Sequence, residues 1–129
     1  MKERLTTAGV LIRDGLYLVA KRKKGGPLSE KWEFIGGKNR YGETIEDTLK
    51  REWMEEVGVE IEVLDFLLLT KFINNDTEYT LHCHLVKTDS LIFLKNVHEE
   101  IIWVTKEELK NLPFGPSDGQ IRDYLLTIN

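Results

Sequence analysis

Three glutamates, Glu52, Glu55 and Glu56, stand at i, i+3 and i+4 in the chain. In a helix this spacing puts them on one face. Ile45, Leu49, Trp53 and Val57 step by four through the same segment and form an apolar stripe. The acids lie beside the stripe, not opposite it. Burying the stripe therefore holds the carboxylates at the edge of the core, partly shielded from water. Thr44 is placed to cap the first turn, with Asp47 where the acid of a capping-box-like pair sits. Gly58 follows the last helical residue and can take the left-handed conformation that stops a helix.

Like charges so close together repel, and full ionisation is disfavoured. A divalent cation reverses that balance, and hard oxygen ligands suit Mg²⁺, Mn²⁺ or Ca²⁺. Glu43, just before the helix, can reach the same cluster. Such a cluster can also be no more than a solvated acidic face. The preceding loop decides between the two readings. Gly37 is followed after five residues by Glu43, and after seven more by Arg51-Glu52. Then come Trp53, one residue, Glu55-Glu56, one residue, Gly58 and Val59. This spacing matches the Nudix box at every fixed position. The chain resembles the Nudix hydrolases, and in size the small MutT-type members.

The resemblance implies an α/β fold, the Nudix α/β/α sandwich, with the box helix packed on a mixed β-sheet. It implies a metal site at Gly37, Glu52, Glu55 and Glu56, occupied by Mg²⁺ or Mn²⁺. Glu56 matches the position most damaging to lose. Arg51 matches an arginine that pairs with a loop carboxylate, here Glu43, and holds the acids in place. The family hydrolyses a nucleoside diphosphate linked to another group; water attacks a phosphorus, and the metals neutralise the charge that develops. Relatives often bring one more acid from the region of Glu99 or Glu100 to the metals or the attacking water, so both join the expected catalytic set. Two positions outside the fixed motif depart from many relatives. Ile35 replaces a proline, and Arg40 replaces a glutamate, which changes the charge beside the phosphates.

With 129 residues the chain suits one domain, 1–129, with a proper core. Apolar content is 41%, charged content 31% and net charge −4, so a soluble protein without a duplex nucleic-acid footprint is expected. The one cysteine, Cys83, excludes an internal disulfide and fits a reducing compartment. No stretch is apolar enough to span a membrane, and the start lacks the apolar core of a secretion signal, so the cytoplasm is the expected location.

Along the chain, Leu5 to Ile12 reads as a strand, Asp14-Gly15 as a hairpin turn and Leu16 to Arg22 as the returning strand. The basic run Lys21 to Lys24 reads either as a solvated loop or as a phosphate grip. Arg22 is the best candidate for the grip, because an arginine holds two phosphate oxygens at once. Gly25-Gly26-Pro27 breaks the structure. Trp32 to Ile35 is a short extended piece. The resemblance places Phe34 near a bound base, although an aromatic there also suits a core. Gly36 and Gly37 allow close backbone approach. Lys38 follows and joins the expected substrate-binding residues. No glycine stands where a Walker loop needs one, so that nucleotide site is excluded.

Beyond the helix, Val59 to Ile73 and Thr77 to Val86 read as a hairpin about Asn74-Asn75-Asp76. His82 and His84 share one strand face, with Cys83 on the other. Without a third ligand nearby in sequence they read as polar strand residues, not a metal pair. Leu91 to Leu94 reads as a short strand, and Glu99-Glu100 as preceding the strand Ile101 to Val104. Thr105 caps a short helix through Leu112, with Glu108 completing a capping box. Ser117-Asp118 opens a last helix, Gly119 to Ile128. Asp118 reads equally as its N-cap or, by the resemblance, as a contact to the nucleobase.

The expected activity is cleavage of a nucleoside triphosphate, an oxidised purine nucleotide among the candidates, to monophosphate and pyrophosphate. ADP-ribose, dinucleoside polyphosphates and capped RNA ends are the alternatives, and a non-catalytic nucleotide-binding module is the other class. Members that cleave ADP-ribose often carry extra N-terminal strands, for which this chain has little room. The expected partner is a small-molecule nucleotide, and the expected assembly a monomer or homodimer.

Overall fold

The computed structural model describes residues 1–26 and 29–128. Strand β1 (Lys2–Arg13) turns at Asp14-Gly15 into β2 (Leu16–Arg22), which pairs with the short β3 (Trp32–Glu33). Both turn residues take positive φ, 51° and 77°, which favours an Asp-Gly pair. Helix α1 (Ile45–Val57) follows, then β4 (Glu62–Asn74) and β5 (Thr77–Lys87), joined through Asn75-Asp76, also at positive φ. Strand β6 (His98–Val104), α2 (Lys106–Asn111) and α3 (Pro116–Leu125) complete the described fold.

The strands form one mixed sheet in the order β3-β2-β1-β5-β4, with β6 on β2. β1 runs parallel to β5, and the other pairs are antiparallel. Side chains alternate across a sheet, so each central strand feeds two cores. Ala8, Val10, Tyr17 and Val19 face Leu109, Ile121 and Leu125 of α2 and α3. Leu11, Leu18 and Ala20 face Leu49, Trp53 and Val57 of α1. This is the α/β/α layering expected of the box. Among the described residues no helix is long and apolar enough to cross a membrane.

α1 keeps the ends its sequence encodes. The Thr44 side chain accepts from Asp47 N, the Asp47 carboxylate accepts from Thr44 N, and Gly58 stops the helix at φ 69°. Ile35, which lacks a proline ring to hold it, is held by bonding instead. Its carbonyl accepts from Gly9 N at 2.8 Å and from the buried Trp53 indole N–H at 3.0 Å.

Three expectations are corrected. Leu91–Leu94 is not a strand. Leu94 N donates to Val57 O and Asn96 N to Glu56 O, so this segment satisfies open carbonyls at the end of α1 and joins no ladder. Glu99 and Glu100 lie inside β6, which starts at His98. Helix α3 begins at Pro116 with Gly115 as its cap and ends at Leu125, so Asp118 lies in its first turn and is not the N-cap. Its carboxylate is engaged elsewhere, by the backbone of Phe34. The Gly25-Gly26-Pro27 break falls partly outside the described residues.

Candidate active site

The box helix presents its acids around one arginine. Arg51 Nε donates to Glu43 Oε2 at 2.6 Å and Nη2 to Glu43 Oε1 at 3.0 Å, a two-pronged grip. Nη1 reaches Glu52 Oε1 at 2.7 Å and Glu55 Oε1 at 3.2 Å, while Nη2 also holds the Lys38 carbonyl at 2.9 Å. The Arg51 hydrogen bond is the main reason that Glu43 falls to about 2, helped by Arg40 N and Thr48. Arg51 is raised in turn, chiefly by Glu43. Arg40 Nη2 lies 3.7 Å from Glu55, so the residue that replaces a glutamate faces the acids.

Glu56 differs from its neighbours. It is 8% exposed, and Oε1 is buried without a hydrogen-bond partner. Burial first, then a hydrogen bond to Glu52 and the charge of Glu33, hold its carboxyl well above the usual range. Gly37 packs against Glu52 so closely that an added Cβ would overlap the carboxylate. The Gly37 carbonyl turns to β1, accepting from Thr7 N and Oγ1, each at 2.9 Å.

Beside this face lies a cleft of about 280 Å³. Arg22, Phe34, Lys38 and Asp118, the four expected substrate contacts, all line it, with Glu33, Gly36 and Gly37. They arrive from three places in the chain: the end of β2, the connection from β3 to α1, and the first turn of α3. Phe34 is stacked on Phe114, centroids 5.3 Å apart, and its backbone N donates to Asp118 Oδ2 at 2.8 Å. Burial pushes Asp118 up to about 7; the charge of Glu33 adds to that, while the Phe34 bond and Arg22 oppose it. Across the cleft Phe72 stacks on Tyr79, and Lys38 Nζ lies 5.7 Å from the Tyr79 ring centre.

Glu99 and Glu100 are not brought to this cluster. Both pair with Lys21, at 3.5 and 2.9 Å, with side chains 41% and 47% exposed. A register shift in β6 leaves His98, not the acids, turned inward. Sequence reasoning missed His98 and gave Glu33 no role. Glu33, His98 and Glu56 place one ligand-type atom each within 4.8 Å of the others, the one such grouping among the described residues. A charge between Trp32 and Phe34 was the available signal for Glu33. None existed for His98, which lies 65 residues from its partner. Among the described residues His82 and His84 join no metal-ligand grouping, and both pack edgewise with Phe66.

The donor set fits a divalent cation. Glu52, Glu55 and Glu56 offer hard oxygens, and the orphaned Glu56 Oε1 is a buried acceptor that lacks a donor. The NUDIX domain family matches residues 3–125. A Mycobacterium tuberculosis protein, provisionally named an 8-oxo-dGTP diphosphatase, is 33% identical over 133 residues, covering 100% of this chain and 93% of its own. The CTP pyrophosphohydrolase of Escherichia coli is 29% identical, covering 99% and 95%. The solution structure of the E. coli ORF135 protein superimposes with a TM-score of 0.88 at 27% identity, over 98% of this chain and 91% of that one. With the box, the layered fold and a match over nearly its whole length, the chain belongs to the NUDIX domain family and is a Nudix hydrolase.

Proposed function

We propose that this Nudix hydrolase cleaves a nucleoside triphosphate to the monophosphate and pyrophosphate. One observation carries the reading. The cleft that gathers Arg22, Phe34, Lys38 and Asp118 shares its wall, Gly37 and Glu33, with the acid face of α1. A base and a phosphate chain can therefore occupy the two ends of one site. The names of the relatives, an 8-oxo-dGTP diphosphatase and a CTP pyrophosphohydrolase, support a nucleotide of this class.

Each group has a role in this reading. Glu52, Glu55 and Glu56 hold the divalent cation, Mg²⁺ or Mn²⁺, which when bound offsets the charge on the phosphate oxygens. Arg51 and Glu43 keep those carboxylates in place. Lys38 and Arg22 attract the phosphates. Phe34, 2% exposed and stacked on Phe114, backs the base end of the cleft from within the core. Asp118 keeps its proton up to about 7, so its carboxyl can donate as well as accept at the edge of a guanine or cytosine ring. The protein is read as cytoplasmic, with a small nucleotide as its partner.

A substrate panel tests this: 8-oxo-dGTP, dGTP, CTP, dCTP and ADP-ribose, each with Mg²⁺ or with EDTA, read by pyrophosphate and phosphate release. Pyrophosphate from a triphosphate, lost in EDTA, is expected. Turnover of ADP-ribose with none of the triphosphates would overturn the reading.

A further inference from the structure

His98 has no part in the scheme above, yet it is among the most buried side chains, 1% exposed. The register shift between β2 and β6 sets it opposite Arg22. His98 Nε2 lies 2.8 Å from Glu33 Oε2. A carboxylate oxygen takes only a donor, so Nε2 carries the hydrogen. The other oxygen of Glu33 accepts from Arg22 Nε at 2.9 Å. Glu33 is thus held at both ends, by a buried ring on one side and a guanidinium of the cleft on the other.

Glu33 and Arg22 line the cleft, and His98 stands behind them. Arg22 is a long side chain, 41% exposed, that ordering would otherwise cost rotamer entropy. Its Nε is committed to Glu33. Its terminal nitrogens donate to no other group among the described residues. His98 does not serve the box acids in the same way. Its Nε2 is 3.7 Å from Glu56 Oε1, beyond hydrogen-bond distance, and that oxygen is without a partner.

We propose that His98 is a positioning residue: through Glu33 it fixes the Arg22 guanidinium in the cleft, leaves the terminal nitrogens free for the substrate's phosphates, and so sets nucleotide affinity without touching the nucleotide. The inference rests on the nucleotide cleft proposed above, and explains why a buried imidazole ends on a carboxylate at the cleft wall. Glu33, the middle member, is bonded at both ends, while His98, whose Nδ1 has no hydrogen-bond partner among the described residues, is held by burial, so the anchored ring and carboxylate set where the Arg22 guanidinium lies.

The test compares His98→Leu, His98→Gln, His98→Asn, Arg22→Ala and the His98→Leu/Arg22→Ala double variant. Binding of dGTP and dCTP is measured by calorimetry with Ca²⁺ in place of Mg²⁺, Mn²⁺ binding by electron paramagnetic resonance, and folding by circular dichroism. His98→Leu is expected to weaken nucleotide binding about tenfold, as loss of a charge-assisted hydrogen bond would. Mn²⁺ affinity should stay within about twofold, and the double variant should bind no worse than Arg22→Ala alone. Glutamine, whose amide nitrogen reaches near the Nε2 position, should restore binding to within about threefold, and the shorter asparagine should not. If His98→Leu fails to fold, the glutamine–asparagine contrast decides alone. Losses that multiply in the double variant, or Mn²⁺ affinity that falls together with nucleotide affinity, would overturn the inference. So would a folded glutamine variant as weak as the asparagine one. A wild-type protein that binds these nucleotides but turns over no triphosphate would sink the proposed function while leaving His98 tested by binding. One that binds neither would end both.

Discussion

Arg51 and Glu43 meet edge to edge, with Nε–Oε2 at 2.6 Å and Nη2–Oε1 at 3.0 Å, each side chain only 17% exposed. The pair ties the loop before α1 to the middle of the helix, and the same guanidinium reaches Glu52 and Glu55. Removing it leaves three carboxylates, Glu43, Glu52 and Glu55, without their shared cation. Arg51→Ala should lower Mn²⁺ affinity and kcat by about 10–100-fold, and Arg51→Lys should recover only part, because an ammonium cannot make the fork. Spin-resonance titration and steady-state kinetics check both. Glu43 falls from an ordinary 4.5 to about 2, so its stabilising share is present above the ordinary value and lost as pH falls through about 2. The urea-midpoint gap between wild type and Glu43→Gln should therefore narrow on acidification over that window.

Glu56 carries the opposite sign. Its carboxyl is held above the usual range by burial, so charging it without a cation costs stability as pH rises. Glu56→Gln should lower turnover by about 10²-fold or more. In EDTA it should melt no lower than wild type, and higher at alkaline pH. An active Glu56→Gln enzyme would argue against the assigned role, and calorimetric melts across pH test the sign.

Asp118 rises from an ordinary 3.8 to about 7, with Glu33 raising it, and Arg22 and the Phe34 backbone N–H opposing. The folded state holds this proton more tightly than the unfolded chain between those values. Stability from this group is therefore full below the ordinary value and declines as pH rises to about 7. Asp118→Asn keeps an oxygen for Phe34 N and has nothing to titrate. Relative to wild type it should gain about 1–3 kcal/mol between pH 4 and pH 8, read from urea denaturation. A flat difference would contradict the assignment.

Trp53 is fully buried, and its indole N–H bonds the Ile35 carbonyl just before Gly36 and Gly37. A Cβ at Gly9 would sit 2.8 Å from that indole nitrogen, so the glycine makes room for the ring. Trp53→Phe removes the bond and leaves a cavity, and should cost about 1–3 kcal/mol. It should also lower kcat several-fold, because the loop that packs on Glu52 loses a tether. Paired melts and kinetics check this.

The box helix was legible because its determinants are local. The Thr44–Asp47 cap, the four-step stripe from Ile45 to Val57 and the left-handed Gly58 all act within a few residues. The hairpin turns at Asp14-Gly15 and Asn75-Asp76 were legible for the same reason, since their backbone needs φ values that few residues supply. Arg51 with Glu43 could be named from the resemblance, and their eight-residue separation across a cap brings them together.

What lay beyond sequence was decided by strand register. Whether His98 or Glu99 turns inward depends on a shift in the pairing of β2 with β6, and a one-residue slip reverses every side chain. Leu91–Leu94 had strand composition, but open carbonyls at the end of α1 took the backbone N–H of Leu94 and of Asn96 just beyond it. Asp118 read equally as a cap or a base contact, and Phe34, 84 residues away, donates to its carboxylate. Periodicity and capping are short-range and can be read along a chain. The partners of Glu33, His98 and Asp118 meet only once the sheet is formed, and only the tertiary structure could supply them.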